Sequence, residues 1–207
     1  MESWLPRVVC SALLFLVPTV SGARTIVDEW NDVKAPPAPA LKNVTVDSKT
    51  TALLMLDFVP PTCGARPRCV ASLPALKKLL DEARSRGMLV VHSVTATTKA
   101  EEILKDVAPR AGEPVVTSSI DKFRNTDLEK ILKDKGIQTV IVTGTAAHGA
   151  VLNTVAAAVQ RGFKVLLPVD GMSASDTYTE QYVAWHMTNA PAVAPNTTLT
   201  KISQIGF

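Results

Sequence analysis

The sequence predicts an α/β protein with a mainly parallel sheet and helices on both of its faces. Three observations carry this. Short apolar runs of strand length (Thr51–Phe58, Met88–Val94, Gln138–Thr143, Phe163–Val169) alternate with segments of helical period. The runs are almost continuously apolar, as expected of strands covered on both faces. The segments between them are long enough to cross over and return the chain parallel to the previous strand.

Each element has its own signal. Val70–Arg86 carries Leu73, Leu76, Leu79, Leu80 and Ala83 on one helical stripe with charges opposite, and stops at Gly87. Glu101–Val107 reads as a short helix and Pro114–Thr117 as a short strand. Thr126-Asp-Leu-Glu129 reads as a capping box opening a helix that carries Ile131 and Leu132 and closes with lysines and Gly136. Gly144-Thr-Ala-Ala-His-Gly149 turns into a helix with Val151, Thr154, Val155, Ala158 and Val159 inward, ending at Gly162. Tyr178–Thr188 reads as helical and Leu199–Ile202 as a last strand.

The chain has 207 residues, which suits one domain with at most a small appendage. Residues 1–23 read as a secretory signal: Arg7, an apolar run from Val8 to Val17, then Ser21 and Ala23 as small residues before a cut at Arg24. The competing reading is a buried or uncleaved N-terminal helix. An exported protein, periplasmic or secreted, with no membrane attachment after cleavage follows from the first. Residues 24–50, rich in Pro, Ala and Asp, read as an extended arm, and 51–207 as the domain. Export would leave Cys63 and Cys69 in an oxidising space, either bridged or as two free thiols; a free Cys63 is itself a candidate nucleophile.

With 22 basic and 19 acidic residues, the formal charge of +3 is too balanced for a protein that works by phosphate contacts, so no nucleic-acid partner is expected. Three histidines, none at i, i+4 spacing, and three cysteines argue against a transition-metal centre. No G-x-G-x-x-G or Walker loop is present, and no cofactor is expected.

In a parallel sheet, ligands sit beyond the carboxyl ends of the strands. Those ends supply Asp57, His92 and Ser93, the Gly144–His148 turn, and Asp170. Asp57 closes a buried strand, where partial desolvation raises a carboxyl pKa and suits a base; the competing role is a turn or cap. The small residues Thr145, Ala146 and Ala147 permit close backbone approach, and the following helix start favours negative charge. With Ala150 and Phe58 they form the candidate substrate-binding set. His148, in the same turn, is a candidate catalytic residue or a surface cap. Lys122, just before the capping box, is a candidate catalytic cation or an exposed loop lysine. The Asp170-Gly-Met-Ser-Ala174 turn reads as structural.

Taken together, these pieces resemble the isochorismatase-like cysteine hydrolases, which include nicotinamidases and carbamoylsarcosine amidases. The shared pieces are the apolar strand ending in Asp57, Phe123…Thr126-Asp127-Leu128, Val140-Ile-Val-Thr-Gly144, Arg161-Gly162-Phe163 and Val169-Asp170-Gly-Met-Ser-Ala174, over roughly residues 50–175. The resemblance implies a flavodoxin-like, three-layer α/β/α fold, a small-molecule substrate and a homo-oligomer. It also implies an Asp–Lys–Cys triad, from which this chain departs. Asp57 falls on the family aspartate. The cysteine position is Ala150, the lysine position is near Thr117 with Lys122 out of register, and His148 stands where many members have aspartate. A methyl group is no nucleophile. The expected activity is hydrolysis of a small amide, ureido or enol-ether compound without the usual cysteine. In that scheme Asp57 activates water, His148 or Lys122 assists, and the Thr145–Ala147 turn holds developing charge. The alternative is a non-catalytic descendant that binds a small molecule or a partner.

Overall fold

The computed structural model describes residues 1 and 22–207. The expected signal segment and Cys10 lie almost wholly outside the described residues. The chain divides into two units, Met1–Pro36 and Pro37–Phe207. Among the described residues of the first, a short helix, α1 (Ile26–Glu29), starts at Thr25, where Asp28 accepts from the Thr25 backbone N–H.

In the second unit, residues 42–46 are tied down by backbone bonds. Lys42 N–H donates to the Leu199 carbonyl, and β1 (Val44–Thr45) pairs in parallel with β9 (Ile205–Gly206). The main sheet contains β2 (Thr51–Leu56), β3 (Leu89–Val94), β4 (Val115–Thr117), β5 (Thr139–Thr145), β6 (Lys164–Pro168) and β8 (Thr197–Thr200), in the order β4-β3-β2-β5-β6-β8. Every pairing is parallel. The short β7 (Met172–Ser173) runs beside the end of β5, beyond where β6 stops pairing. This is the expected three-layer α/β architecture.

Strand periodicity sorts the apolar side chains into two cores. Ala52, Leu54 and Leu56 face α3 (Leu128–Asp134), α4 (Leu152–Gln160) and α5 (Thr177–Asn189), against Leu132, Val155, Ala158 and Met187. Leu53 and Met55 face α2 (Pro67–Ser85), against Leu73, Leu76 and Leu80. All six residues of β2 are buried, because it is central and covered on both faces. Gly144 is required where β5 ends beside β2: a Cβ there would lie 2.5 Å from the Leu56 Cβ, and its φ is +144°.

Two local expectations are corrected. The segment 101–107 is not one helix but two single turns of 3₁₀ type, Ala100–Glu102 and Lys105–Val107. The Thr126–Glu129 capping box does not close. Thr126 Oγ1 instead donates to the Lys122 carbonyl at 2.6 Å while accepting from Leu128 N–H, and Glu129 is drawn away by Lys133 and Arg161. Ionised partners outcompete a neutral backbone N–H for the carboxylate.

Candidate active site

At the carboxyl end of β2 the backbone reverses its expected course. Asp57 has φ +57°, in the left-handed region that is uncommon for non-glycine residues and that Asp enters more readily than most. Strict alternation would send its side chain to the α2 face with Leu53 and Met55. Instead the carboxylate meets Ser93, on the same face of β3 as Val91, and Lys122, whose loop packs on α4. Three bonds fasten the turn. Asp57 N–H donates to the Ser93 carbonyl at 3.1 Å, and the Asp57 carbonyl accepts from both Val59 N–H and the Thr62 hydroxyl.

Both carboxylate oxygens are engaged. Ser93 Oγ donates to Oδ1 at 2.8 Å, and Lys122 Nζ lies 2.8 Å from Oδ2. Lys122 is fully buried at 0% exposure and Asp57 nearly so at 4%. The ammonium's remaining donors go to the carbonyls of Ser118 at 3.0 Å and Ser119 at 2.6 Å. Burial pushes the Asp57 carboxyl above the ordinary carboxylate value, against the pull of the Lys122 ammonium and the Ser93 hydroxyl. The result is a desolvated but fully hydrogen-bonded ion pair, the only form in which burying two charges is tolerable.

The pair adjoins the turn after β5. Lys122 N–H donates to Thr154 Oγ1 of α4 at 3.2 Å, and Ile120 in the same loop approaches Gly149, where an added Cβ would lie 4.0 Å from it. That turn, Ala147–Val151, is a wide one of π type that feeds directly into α4. Ala147 and Ala150 are buried in it, Ala146 is half-buried, and Thr145 is buried with its hydroxyl on the Ser173 carbonyl at 3.2 Å. The Thr145–Ala146 peptide is cis.

The remaining expected site residues fall elsewhere. His148 is exposed on the turn that packs against α5. Phe58 is 2% exposed and packs with Val59 and Cys63 in the α2-side core. Cys63 and Cys69 form a disulfide that links the turn after Asp57 to the start of α2. A bridged sulfur is not a free thiolate, so the reading of Cys63 as a nucleophile does not fit this structure.

Two polar features had no assigned role in the sequence. Ser93 was visible only as a strand-end hydroxyl, and its pairing with Asp57 depends on the β2–β3 register. Behind it, on the opposite face, His92 Nε2 lies 3.0 Å from Glu113, which Arg84 grips with two bonds of 2.7 Å. Burial alone would raise the Glu113 carboxyl, but Arg84, the Arg110 N–H and His92 hold it down to about 2. Burial lowers the His92 pKa, and its Nδ1 has no hydrogen-bond partner among the described residues.

Two of the clefts lie off this end of β2. One, of about 450 Å³ and lined by Thr45, Thr51, Thr139 and Lys164, opens at the amino ends of the strands, the wrong end for a ligand of a parallel sheet. Another, of about 600 Å³, is bordered by Arg68, Asp170 and Glu180 beside α2 and α5. Among the described residues, no three His, Cys, Asp or Glu side chains are placed to hold a metal ion, and no helix is long and apolar enough to cross a membrane.

A model described as the isochorismatase domain matches residues 51–200. The chain is similar to the secreted isochorismatase effector Isc1 of Verticillium dahliae, 32% identical over 51% of this chain and 62% of the effector. It thus spans about three-fifths of that relative's length. It is also similar to the maleamate amidohydrolase of Pseudomonas putida, 30% identical over 56% of this chain and 68% of the enzyme. Among solved structures, an isochorismatase-like hydrolase from Alkaliphilus metalliredigens superposes with a TM-score of 0.67 at 22% identity, over 75% of this chain and 96% of that one. The N-carbamoylsarcosine amidase from Thermoplasma acidophilum gives 0.65 at 21%, over 74% and 96%. At such identities these two establish the fold alone.

Proposed function

The chain belongs to the isochorismatase family, and we propose that it hydrolyses a small amide, ureido or enol-ether compound at the Asp57–Lys122 pair without a cysteine nucleophile. The observation that carries this reading is the buried, fully bonded ion pair beside the turn that leads into α4. Asp57, its carboxyl pushed up by burial, takes a proton from a water molecule. For an amide or ureido substrate, the water oxygen bonds to the carbonyl carbon, and the carbonyl electron pair moves onto oxygen, returning to re-form the carbonyl when the leaving group departs. The Thr145–Ala147 turn and the positive end of α4 favour that charge. When the carbon–nitrogen bond breaks, the amine leaves with the proton, returned from Asp57 with Lys122 holding the carboxylate in place. His148, exposed on the turn, serves at the mouth.

A second reading is a non-catalytic descendant that binds a small molecule or a partner at the strand-end turn. Ala150 favours it, since the family resemblance puts the nucleophile there and the side chain is a buried methyl. One experiment separates the two: hydrolysis of a panel of nicotinamide, N-carbamoyl compounds, maleamate and isochorismate by the chain and by its Asp57→Asn variant. Turnover that vanishes in the variant supports the hydrolase. Turnover that persists in Asp57→Asn sinks the role of Asp57, and a folded chain that binds a panel member without converting it supports the second reading.

We also propose that the chain is exported through residues 1–23. The Cys63–Cys69 bridge supports this, because such bonds persist in oxidising compartments. The similarity to a secreted effector points the same way. N-terminal sequencing of the protein recovered outside the cytoplasm, with Arg24 first, is the expected result.

A further inference from the structure

Two triplets of the form Asn-x-Thr occur in the chain, Asn43-Val44-Thr45 and Asn196-Thr197-Thr198, and neither has proline at its centre. Both asparagines are exposed. Asn43 leads into β1, and Asn196 closes a single 3₁₀ turn (Ala194–Asn196) just before β8. Among the described residues, neither side-chain amide has a hydrogen-bond partner. By contrast, Asn153 and Asn189, which lie outside such triplets, give their amides to the Gly149 and Trp185 carbonyls at 2.8 Å. Backbone and side-chain bonds pin the two triplets to the same part of the fold. Lys42 N–H donates to the Leu199 carbonyl at 2.9 Å, and Thr200 Oγ1 donates to the Lys42 carbonyl at 2.8 Å. Val44, Thr45, Asn196 and Thr198 all border the cleft of about 450 Å³ at the amino ends of the strands, away from Asp57.

From this we infer that Asn43 and Asn196 each carry an N-linked glycan in the exported protein. The inference rests on the export proposed above and is independent of the chemistry at Asp57. In the transfer, the asparagine amide nitrogen bonds to the anomeric carbon of a lipid-linked oligosaccharide. The bond from that carbon to the lipid diphosphate breaks, the diphosphate leaves with the electron pair, and the amide gives up one proton. The triplet requires a hydroxyl two residues on, which Thr45 and Thr198 supply. A glycan is bulky and solvated, so the folded chain must hold its asparagine at the surface. Both positions meet that condition, and neither amide gives up a hydrogen bond to be modified. The Cys63–Cys69 bridge suits the same oxidising route. Position gives the glycans a use. Strand β8 is the outermost strand of the main sheet, and Asn196 stands at its start. A bulky solvated group there blocks that edge from pairing with another chain. Because both triplets border the amino-end cleft, the glycans leave the carboxyl-end site at Asp57 open.

The test is the mass of the protein exported by its own host, before and after a glycosidase specific for N-linked glycans, with Asn43→Gln, Asn196→Gln and Thr198→Ala alongside. The wild type is expected two glycan steps above the polypeptide mass, and digestion is expected to remove both. Each variant is expected to lose one step, Thr198→Ala the same one as Asn196→Gln. An exported chain at the bare polypeptide mass overturns the proposal, and a variant that keeps both steps overturns it for that asparagine. A second arm separates this from export: the chain is translated with endoplasmic-reticulum microsomes, once with residues 1–23 and once with a leader of known efficiency in their place. Two steps behind the exchanged leader, with no translocation behind residues 1–23, would support the glycan sites and sink the export reading. A translocated, protease-protected chain without steps would sink the sites.

Discussion

Lys122 reaches Asp57 from the loop after β4, two strands away from β2, and places its ammonium 2.8 Å from one carboxylate oxygen while Ser93 holds the other. The lysine position implied by the family resemblance, near Thr117, is exposed at the end of β4. The side chain that fills the pair comes from further along the loop. The loop folds back so that the Ser118 and Ser119 carbonyls share the ammonium. A long flexible side chain lets the same charge reach the same place from a different register.

Breaking this pair from one side leaves a buried charge without its partner. Lys122→Met is expected to cost about 3–5 kcal/mol of stability. The double variant Asp57→Asn/Lys122→Met should recover most of that loss, since a neutral pair has no charge to strand. Urea melts of the single and double variants check this; a double variant no more stable than Lys122→Met would show that the pair is not the source of the loss.

Ser93→Ala removes one of the two groups that pull the Asp57 carboxyl down against burial. In the proposed mechanism the carboxyl must be ionised to accept a proton, so activity is expected to rise with pH through its pKa. Without the hydroxyl that pKa moves further up, and the acid limb of kcat/KM is expected to shift to higher pH. A rate that falls equally at all pH values would assign Ser93 to packing alone.

Glu113 predicts an acid limit to stability. Its carboxyl is held at about 2, against an ordinary 4.5. A depressed carboxyl pKa stabilises the fold above the unfolded value, and that contribution is lost as pH falls from about 4.5 to about 2. Buried His92, its own pKa lowered, adds a loss on the acid side of the ordinary histidine range. Melting temperatures recorded across that acid window should fall steeply for the wild type and more gently for Glu113→Gln, from a lower starting point.

The Cys63–Cys69 bridge closes a loop of sequence separation 6 and fastens the turn that follows Asp57. For so short a loop the chain-entropy account gives about 2 kcal/mol. Replacing both cysteines by alanine should lower stability by that amount and reduce turnover further, because the segment that fixes Asp57 loosens. Unchanged thermal stability under reductant would separate the bridge from the fold.

By itself the sequence determined the fold class, the strand order of appearance and the strand-end position of Asp57. These depend on local periodicity: continuous apolar runs specify strands covered on both faces, and a 3.6-residue stripe specifies each helix. The Glu101–Val107 segment misled because a short apolar spacing with acidic residues fits a helix on paper, while its length allows only isolated turns. The tertiary structure alone decided that Lys122, rather than exposed His148, faces Asp57, that Ser93 completes the carboxylate's bonding, and that Phe58 belongs to the core. Each of those facts depends on strand register and on a left-handed residue at position 57, which reverses the face its side chain would otherwise take. Periodicity carries which face of an element is apolar; which polar groups meet across elements is settled only when the elements pack.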